Sequence, residues 1–359
     1  MSTQAATARI QSQLRKSFTQ LEANGTSSTV GDAFEAFLAR SGTLERDSLI
    51  VRCRFDGRIF TFSVVIDKET SRARLVNRFL PCLQRIKERL AGPFDVFVLF
   101  SDSIYVSDSR TPDFVDFIRR VPFLRCDWLE GDPVSSNALV IPDFWLLDSD
   151  FDDEVTEIER AARQLPFEQR KEIIKWRGRL SGPGYPDLSN CADFPRFKLV
   201  LQTLRHPEII DARLTNYRNF SPTPSGDALK QQLDSWFGGV SPEIRSADFA
   251  AYKYLISTDG VVSSWKRIAT ILWTGSVLLM QHTWRQFFYP GLVAWEHYVP
   301  VANDLSDLVE RYDWLRANPE QAESIAQTGC EFARHVLTRK AIDDCLIAML
   351  NRCAELPRT

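Results

Sequence analysis

Residues 251–280 read AYKYLISTDGVVSSWKRIATILWTGSVLLM. The aromatic and β-branched run Tyr252–Ile256 predicts a short buried strand. The small polar residues and the glycine of Ser257–Ser264 predict a tight loop, and the apolar spacing of Trp265–Trp273 predicts a helix. Gly275–Met280 predicts a second buried strand. This order over about 30 residues is that of one βαβ crossover, so the stretch indicates an α/β fold.

The junction between this loop and this helix carries two hydroxyls and two cations, at Ser263, Ser264, Lys266 and Arg267. A loop that leads into a helix offers free backbone N–H groups and the positive end of the helix dipole. Together these groups suit a diphosphate. An ordinary βαβ unit whose basic residues face solvent is the alternative, and the pattern alone leaves both open.

The composition is that of a soluble globular chain, and its 359 residues suffice for two domains with separate cores. A net charge of −3, with acids and bases well mixed, argues against a nucleic-acid-binding protein. No apolar run approaches the ~20 residues of a membrane span, and residues 1–25 lack the hydrophobic region of a secretory signal. Seven scattered cysteines without CxxC spacing indicate free thiols in a reducing compartment. We therefore expect a cytoplasmic protein.

Strands and helices alternate in both halves of the chain. Ser48–Val65 predicts a β-hairpin, because two alternating runs flank the turn pair Asp56-Gly57. Phe94–Phe100 is a continuous apolar run, which predicts a central strand. That strand delivers Asp102 at its carboxyl end, where open α/β sheets bind ligands. The sequence thus predicts two α/β domains with a cleft between them.

The chain resembles glycosyltransferase family 90, which contains protein O-glucosyltransferases, fungal capsule-associated xylosyltransferases and bacterial lipopolysaccharide-modifying glycosyltransferases. The sequence motifs that carry the resemblance are YKYLI, DG, GSVLL, WRQFFYPGLVAWEHYVPV and DLSDL, in this order and spacing. The resemblance is strong over Ala251–Leu308 and traceable over about Phe94–Leu337. It does not extend before about residue 90.

The resemblance implies a GT-B-like α/β fold, in which two Rossmann-like domains face each other across a cleft. The implied parts are an N-terminal extension with helices and a β-hairpin (1–90), an acceptor-side α/β domain that packs with it (91–168), a donor-binding Rossmann-like domain (169–337) and a C-terminal helix (338–359). The extension is also open to a role as an added acceptor- or partner-binding module.

The implied activity is inverting transfer of glucose or xylose from a UDP-sugar to a hydroxyl of a saccharide or glycolipid, such as lipopolysaccharide or a capsule intermediate. Two other interpretations stay open: a sugar-nucleotide-binding protein without transfer activity, and a transferase acting on Ser or Thr of a protein. The enzyme is expected in the cytoplasm, free or peripheral at the inner face of the membrane. The family implies that cations replace a metal at the leaving group, so no metal and no cofactor are expected. Asp148 and Asp150 fit a DxD pattern in letters only, since acids commonly open a helix.

The diphosphate of such a donor needs cations or amides. Arg179 and Arg267 are the first candidates, and Arg177, Arg196 and Lys266 are the second, although each alone also fits a solvated surface charge. Counting back from the Gly-Ser pair of the family favours Arg267, whereas counting forward from the Asp-Gly pair favours Lys266, so both stay open. The resemblance extends donor binding to Gly178, Asp259, Gly260, Val261, Val262, Ser263 and Ser264, and to Glu296 for the ribose.

Glu296 and His297, near the last predicted strand, also have ordinary structural explanations. Glu296 is a ribose candidate by its position in the family, and a surface acid otherwise. His297 is expected to be a packed, hydrogen-bonded core histidine rather than a catalyst.

Asp102 is the candidate general base, because Phe-Val-Leu-Phe-Ser-Asp resembles the family's strand that ends in its catalytic aspartate. The aromatic-proline pair that follows in the family is replaced here by SIY at 103–105. A loop or cap aspartate is the alternative, and Asp108, Asp143 and Asp148 are the next candidates. The loop of Asp143, Phe144 and Trp145 resembles the family's Pro-x-Trp loop that lines the sugar and acceptor, with core packing as its alternative.

Overall fold

A computed structural model describes residues 3–40, 49–67, 73–102, 111–182 and 184–357. The chain divides into two compact units. The middle unit comprises Asp152–Thr283 and Leu292–Leu337. The terminal unit comprises the described parts of Ser2–Phe151, Trp284–Gly291 and Thr338–Thr359. Each unit contains a five-stranded sheet with helices, so the predicted mixed α/β class is confirmed.

The described residues form strands and helices, each kind numbered in chain order. The strands are β1 (Leu49–Phe55), β2 (Phe60–Asp67), β3 (Phe94–Leu99), β4 (Phe123–Arg125), β5 (Trp128–Leu129), β6 (Leu139–Val140), β7 (Lys171–Arg179), β8 (Ile210–Asn216), β9 (Tyr252–Ser257), β10 (Val277–Met280), β11 (Trp284–Arg285) and β12 (Val299–Pro300). The helices are α1 (Thr3–Asn24), α2 (Ser28–Ala39), α3 (Ala73–Ile86), α4 (Thr111–Ile118), α5 (Phe144–Leu147), α6 (Asp150–Gln164), α7 (Pro195–Arg205), α8 (Pro224–Phe237), α9 (Arg267–Trp273), α10 (Leu308–Ala317), α11 (Pro319–Val336) and α12 (Arg339–Glu355).

The sheet of the terminal unit has the order β2-β1-β3-β4-β6. Strands β1 and β2 form the predicted hairpin, in which the Asp56 carboxylate accepts hydrogen bonds from the backbone N–H groups of Arg58 and Ile59 at 2.7 Å. β1 is antiparallel to β3, whereas β3, β4 and β6 are parallel to one another. The three parallel strands therefore present their carboxyl ends at one edge.

The sheet of the middle unit has the order β12-β10-β9-β7-β8, and each neighbouring pair is parallel. Its central strands are apolar and buried on both faces, as expected for a parallel sheet covered by helices. The predicted crossover is confirmed as β9, α9 and β10. Helix α9 begins at Arg267 rather than at Trp265, because Trp265 adopts a left-handed backbone with φ of 45°.

All five strands of the middle unit point the same way, so the residues that follow them meet at one edge. We call this edge, with the loops that follow β7, β8, β9, β10 and β12, the carboxyl edge. In open α/β sheets this is where ligands bind. Across the described ranges, no helix has the length and apolar character needed to cross a membrane.

Candidate functional site

Arg267 is the most unusual cation of the carboxyl edge. Its guanidinium donates a hydrogen bond to the carbonyl oxygen of Arg177 at 2.8 Å and lies over the ring of Trp176, 5.6 Å from the ring centroid. Burial lowers the pKa of Arg267 to about 10. The residue as a whole keeps partial exposure to solvent. No carboxylate of the described residues forms an ion pair with it, so its charge is available to an anion from outside.

Gly178 makes room for this arginine. A Cβ atom at position 178 would lie 2.6 Å from the Trp176 ring and 3.2 Å from Nη2 of Arg267. The first distance is too short for any real Cβ contact, so a side chain here would displace the ring or the guanidinium. Gly178 therefore leaves the space that the Trp176 ring and the Arg267 guanidinium occupy, and its role in donor binding stays a prediction.

Lys266, the rival of Arg267, has a partner within the protein. Its Nζ donates to the Glu154 carboxylate of α6 at 2.5 Å. The two side chains are 35% and 20% exposed, so the pair is partly screened from water. Lys266 would have to give up this ion pair to bind a ligand, and this difference favours Arg267 as the ligand-binding cation.

Arg177 is also occupied. Its guanidinium forms a bidentate contact with the Asp211 carboxylate on β8, at 2.7 and 3.0 Å, and Lys175 pairs with the same carboxylate. Burial raises the pKa of Asp211, but hydrogen bonds and charge from Arg177 and Lys175 outweigh it and hold the pKa below its ordinary value. These bonds join β7 to β8, and the carbonyl of Arg177 fixes Arg267. Arg177 would have to give up its pairing with Asp211 to bind a ligand, and its donor-site role stays a prediction.

Arg196 and Arg179 bring further positive charge to the carboxyl edge. Nη1 of Arg196, near the start of α7, donates to the Ser181 hydroxyl at 2.5 Å and to the Arg179 carbonyl at 3.2 Å. A Cβ atom on Gly260 would lie 2.9 Å from Nη2 of Arg196 and 2.6 Å from the Ser181 oxygen. The glycine thus allows the loops after β7 and β9 to close around this arginine. The Arg179 side chain itself is exposed.

The loop after β9 is held by its own polar residues. Ser264 donates its hydroxyl to the Thr258 carbonyl at 2.5 Å. The Asp259 carboxylate accepts from the backbone N–H and hydroxyl of Thr283 at 2.6 and 3.0 Å. Val262 and Ser263 are buried, and Val261 is partly exposed. These predicted residues shape the loop around Arg267.

A second network of this edge was not identified from the sequence. The buried side chain of Gln281 accepts from the Asp259 N–H at 3.1 Å and donates to Asn303 at 3.2 Å. It thereby links the loops after β9, β10 and β12. A polar residue directly after a buried strand was the available signal for Gln281.

Several buried polar atoms in this region lack a hydrogen-bond partner among the described residues. They include the hydroxyls of Ser257 and Thr258 and the indole N–H of Trp176. Buried polar groups are nearly always paired. Ser257 ends β9 and Thr258 follows it, so two of these atoms lie at the carboxyl end of a strand.

Glu296 lies elsewhere. It precedes β12, and because β12 runs parallel to its neighbours, residues before it lie toward the opposite edge from the loops around Arg267. Its carbonyl accepts a hydrogen bond from Thr328 of α11. The structure therefore does not place this ribose candidate with the other donor-site residues. The prediction for His297 is confirmed: it is buried, and its Nδ1 accepts from the Val293 N–H at 3.0 Å.

In the terminal unit, Asp102 follows β3 at the carboxyl end, as predicted, and is partly exposed. The preceding Ser101 is buried, and its hydroxyl accepts from the Leu49 N–H at 2.9 Å. This bond fixes the backbone that carries the aspartate. Residues 103–105 and Asp108 lie outside the described residues.

The loop after β6 differs from its prediction. The buried Asp143 caps α5, since its carboxylate accepts from the N–H groups of Trp145 and Leu146 at 2.9 and 3.1 Å. Phe144 is fully buried and stacks on Phe100 at a centroid distance of 4.6 Å. Its burial fits the alternative interpretation of this loop, core packing, and its role in lining the sugar stays a prediction. Trp145 keeps partial exposure and remains a candidate.

The acids at the start of α6 have local roles. Asp148 forms an ion pair with Arg78, and its other oxygen accepts from the Asp150 N–H at 3.2 Å. Among the residues that the structure describes, no group of three or more His, Cys, Asp or Glu side chains is placed to hold a metal ion.

Comparison with known proteins identifies protein O-glucosyltransferases among the relatives of the chain. It is 29% identical to protein O-glucosyltransferase 1 of Rattus norvegicus over 185 residues, which is 52% of this chain and 41% of the relative. It is 28% identical to the Homo sapiens protein of the same name over 181 residues, 50% of this chain and 41% of the relative. With protein O-glucosyltransferase 3 of Mus musculus it shares 28% identity over 267 residues, 70% of this chain and 50% of the relative. The chain thus spans half or less of the length of these relatives.

The family match covers the middle unit and the C-terminal helix α12. The model described as glycosyl transferase family 90 matches residues 146–359, which is more than half of the chain. It includes the strands, loops and arginines of the carboxyl edge. On this match, the chain belongs to glycosyl transferase family 90.

Proposed function

We propose that this chain is a glycosyltransferase that binds a UDP-sugar at the carboxyl edge of the middle unit. The observation that carries the proposal is Arg267, a partly exposed residue whose guanidinium is desolvated and has no carboxylate partner among the described residues. Desolvating a cation without a counterion is costly. A bound diphosphate would remove that cost, which is the reason to assign it as the ligand.

The charge balance of the edge supports metal-independent transfer. Arg179 ends β7, Arg196 lies near the start of α7 and Arg267 begins α9, so all three belong to this edge. Lys266 and Arg177 are neutralised by carboxylates. Fixed cations stabilise the negative charge that develops on a leaving diphosphate. We propose that these three arginines perform the task that a metal ion performs in other transferases.

For the acceptor we propose a Ser or Thr hydroxyl of a protein, with glucose as the sugar. The relatives support this choice, because their names describe protein O-glucosyltransferases. It replaces the saccharide acceptor that the sequence alone favoured. The donor-turnover experiment distinguishes transfer to a protein from transfer to a saccharide, because it offers both kinds of acceptor.

For the mechanism we propose inversion with Asp102 as general base, on a GT-B class of architecture implied by the family. A hydroxyl is a poor nucleophile at neutral pH, and a positioned base contributes about 10²–10⁴-fold to the rate. Asp102 suits this role by its chemistry and its place after β3. Asp143 is less suitable, because its carboxylate caps α5.

Donor turnover tests the proposal. The purified chain is incubated with UDP-glucose, UDP-xylose, UDP-galactose and GDP-mannose, with and without EDTA, and release of the nucleotide diphosphate is measured. We expect release from a UDP-sugar that persists in EDTA. Parallel reactions offer a folded Ser-containing protein domain or an oligosaccharide as acceptor. Nucleotide binding without turnover of any donor or acceptor would indicate a binding protein instead, and loss in EDTA with recovery in Mn²⁺ would contradict metal independence.

A further inference from the structure

Glu154 joins the segments that lie before and after β9. Its carboxylate accepts from the Ser246 hydroxyl, at the start of the short helical segment that leads into β9. The same carboxylate accepts from Nζ of Lys266 at 2.5 Å, at the end of the loop that follows β9. The Glu154 side chain therefore holds both the segment before β9 and the end of the loop that follows β9.

The backbone at the end of the loop that follows β9 needs support. Trp265 has φ of 45°, in the left-handed region that bulky residues rarely occupy. Such a conformation persists only when the surroundings hold it. Lys266 follows directly, and its carbonyl accepts the first hydrogen bond of α9 from Thr270 at 2.9 Å. The position of Lys266 thus sets the direction in which Arg267, the next residue, leaves the loop.

Arg267 is held at its other end by the Arg177 carbonyl at 2.8 Å. Its guanidinium is therefore placed by this hydrogen bond, by its contact with the Trp176 ring, and by the backbone turn that Glu154 holds through Lys266. Of these restraints, only the backbone turn can be altered through Glu154. A change at Glu154 therefore tests the effect of the turn separately from the contacts of Arg267.

We propose that Glu154 is a positioning residue for the anion site, acting on Arg267 through Lys266. The inference rests on the proposed function, because it requires that Arg267 binds the donor diphosphate. A competing effect has the opposite sign. If Glu154 acted only by neutralising Lys266, its removal would free a positive charge beside the site and strengthen anion binding.

The test measures UDP binding by calorimetry for the full chain and for Glu154→Ala, Lys266→Met and the double variant. We expect each single change to raise the Kd about fivefold, and the double variant to be no worse than either, because contacting residues are coupled. The exchange Glu154→Lys with Lys266→Glu re-forms the pair and should recover most of the affinity. Glu157→Gln, an exposed acid on the same helix, is the matched control and should bind as the wild type does.

Kinetics add a measurement that a general loss of stability would not reproduce. In Glu154→Ala the KM for the UDP-sugar should rise, which a smaller fraction of folded enzyme would not cause. The kcat should fall as well, because Arg267 also stabilises the charge that develops on the leaving diphosphate. If the alanine variant does not fold, Glu154→Gln keeps the shape and an acceptor oxygen and should shift the Kd in the same direction.

The outcomes separate the two proposals. A wild-type chain that does not bind UDP overturns both. If Arg267→Gln loses UDP while Glu154→Ala binds it as tightly as or more tightly than the wild type, only the positioning role is overturned. Failure of the exchange variant to recover affinity, with its fold intact, also contradicts the positioning role.

Discussion

The replacement Arg267→Gln tests the central assignment most directly. Glutamine keeps a side-chain N–H that can donate to the Arg177 carbonyl, which Arg267 contacts at 2.8 Å. It removes the charge and keeps much of the packing over Trp176. The variant therefore separates the loss of an anion-binding group from a collapse of the loop.

The expected magnitude follows from the state of the guanidinium. A hydrogen bond to a charged group contributes about 1.5–3 kcal/mol, which corresponds to about 10- to 150-fold in Kd. No internal carboxylate within the described ranges competes for Arg267, so the full contact should be lost. Lys266→Met should cost less, about fivefold, because Lys266 is paired with Glu154 and acts on the site indirectly.

Calorimetry with UDP and with uridine, at two salt concentrations, measures this difference. Arg267→Gln should weaken UDP binding by the stated factor and change uridine binding little, since uridine carries no phosphate. Arg205→Ala removes an exposed arginine at the far end of α7 and serves as the control. UDP affinity within about twofold of the wild type in Arg267→Gln would refute the assignment, and a larger loss in Lys266→Met than in Arg267→Gln would transfer it to Lys266.

Three further predictions concern catalysis, stability and acid sensitivity. Asp102→Asn should lower transfer about 10²–10⁴-fold and leave UDP affinity nearly unchanged; near-normal transfer in a product assay would eliminate Asp102 as the base. Arg170→Met should lower the free energy of unfolding in urea, because Arg170 donates to the carbonyls of Leu165, Thr274 and Gly275, and each buried acceptor left unpaired costs about 1–3 kcal/mol; unchanged stability would contradict this. The pKa of Asp211 is lowered in the folded chain. The contribution of the Asp211 carboxylate to stability is therefore present above the unfolded pKa of about 3.9 and is lost as the pH falls through the folded pKa. The difference in unfolding free energy between the wild type and Asp211→Asn should shrink below about pH 4, and a pH-independent difference would disprove the linkage.

The elements that follow from local pattern were predictable from the sequence. The crossover of β9, α9 and β10 was predicted because both strands are apolar, buried and flanked by turn residues. The β1–β2 hairpin was predicted from its Asp-Gly turn, which the structure places between the paired strands. Each of these features depends on residues close together in the chain. The resemblance to the family likewise depends on short sequence motifs.

Which cations form ion pairs within the protein was not predictable, because their partners are distant in sequence. Lys266 pairs with Glu154 of α6, 112 positions away, and Arg177 pairs with Asp211 of the neighbouring strand. No local pattern distinguishes these cations from Arg267. Phe144 is a similar case, since an aromatic residue beside a polar one fits a ligand loop and a core equally well.

The pairing itself separates the cations that stabilise the fold from those left for a ligand. A carboxylate beside Arg177 or Lys266 offsets the cost of desolvating that charge, so each pair is consistent with a purely structural role. Arg267 gains no such compensation from the described residues, and burial lowers its pKa. A chain selected for stability alone would replace it by an apolar residue of similar length, such as methionine. Retention of a costly, desolvated guanidinium at the end of a parallel sheet is explained when an anion binds there, and the diphosphate of a sugar nucleotide is the anion that we propose.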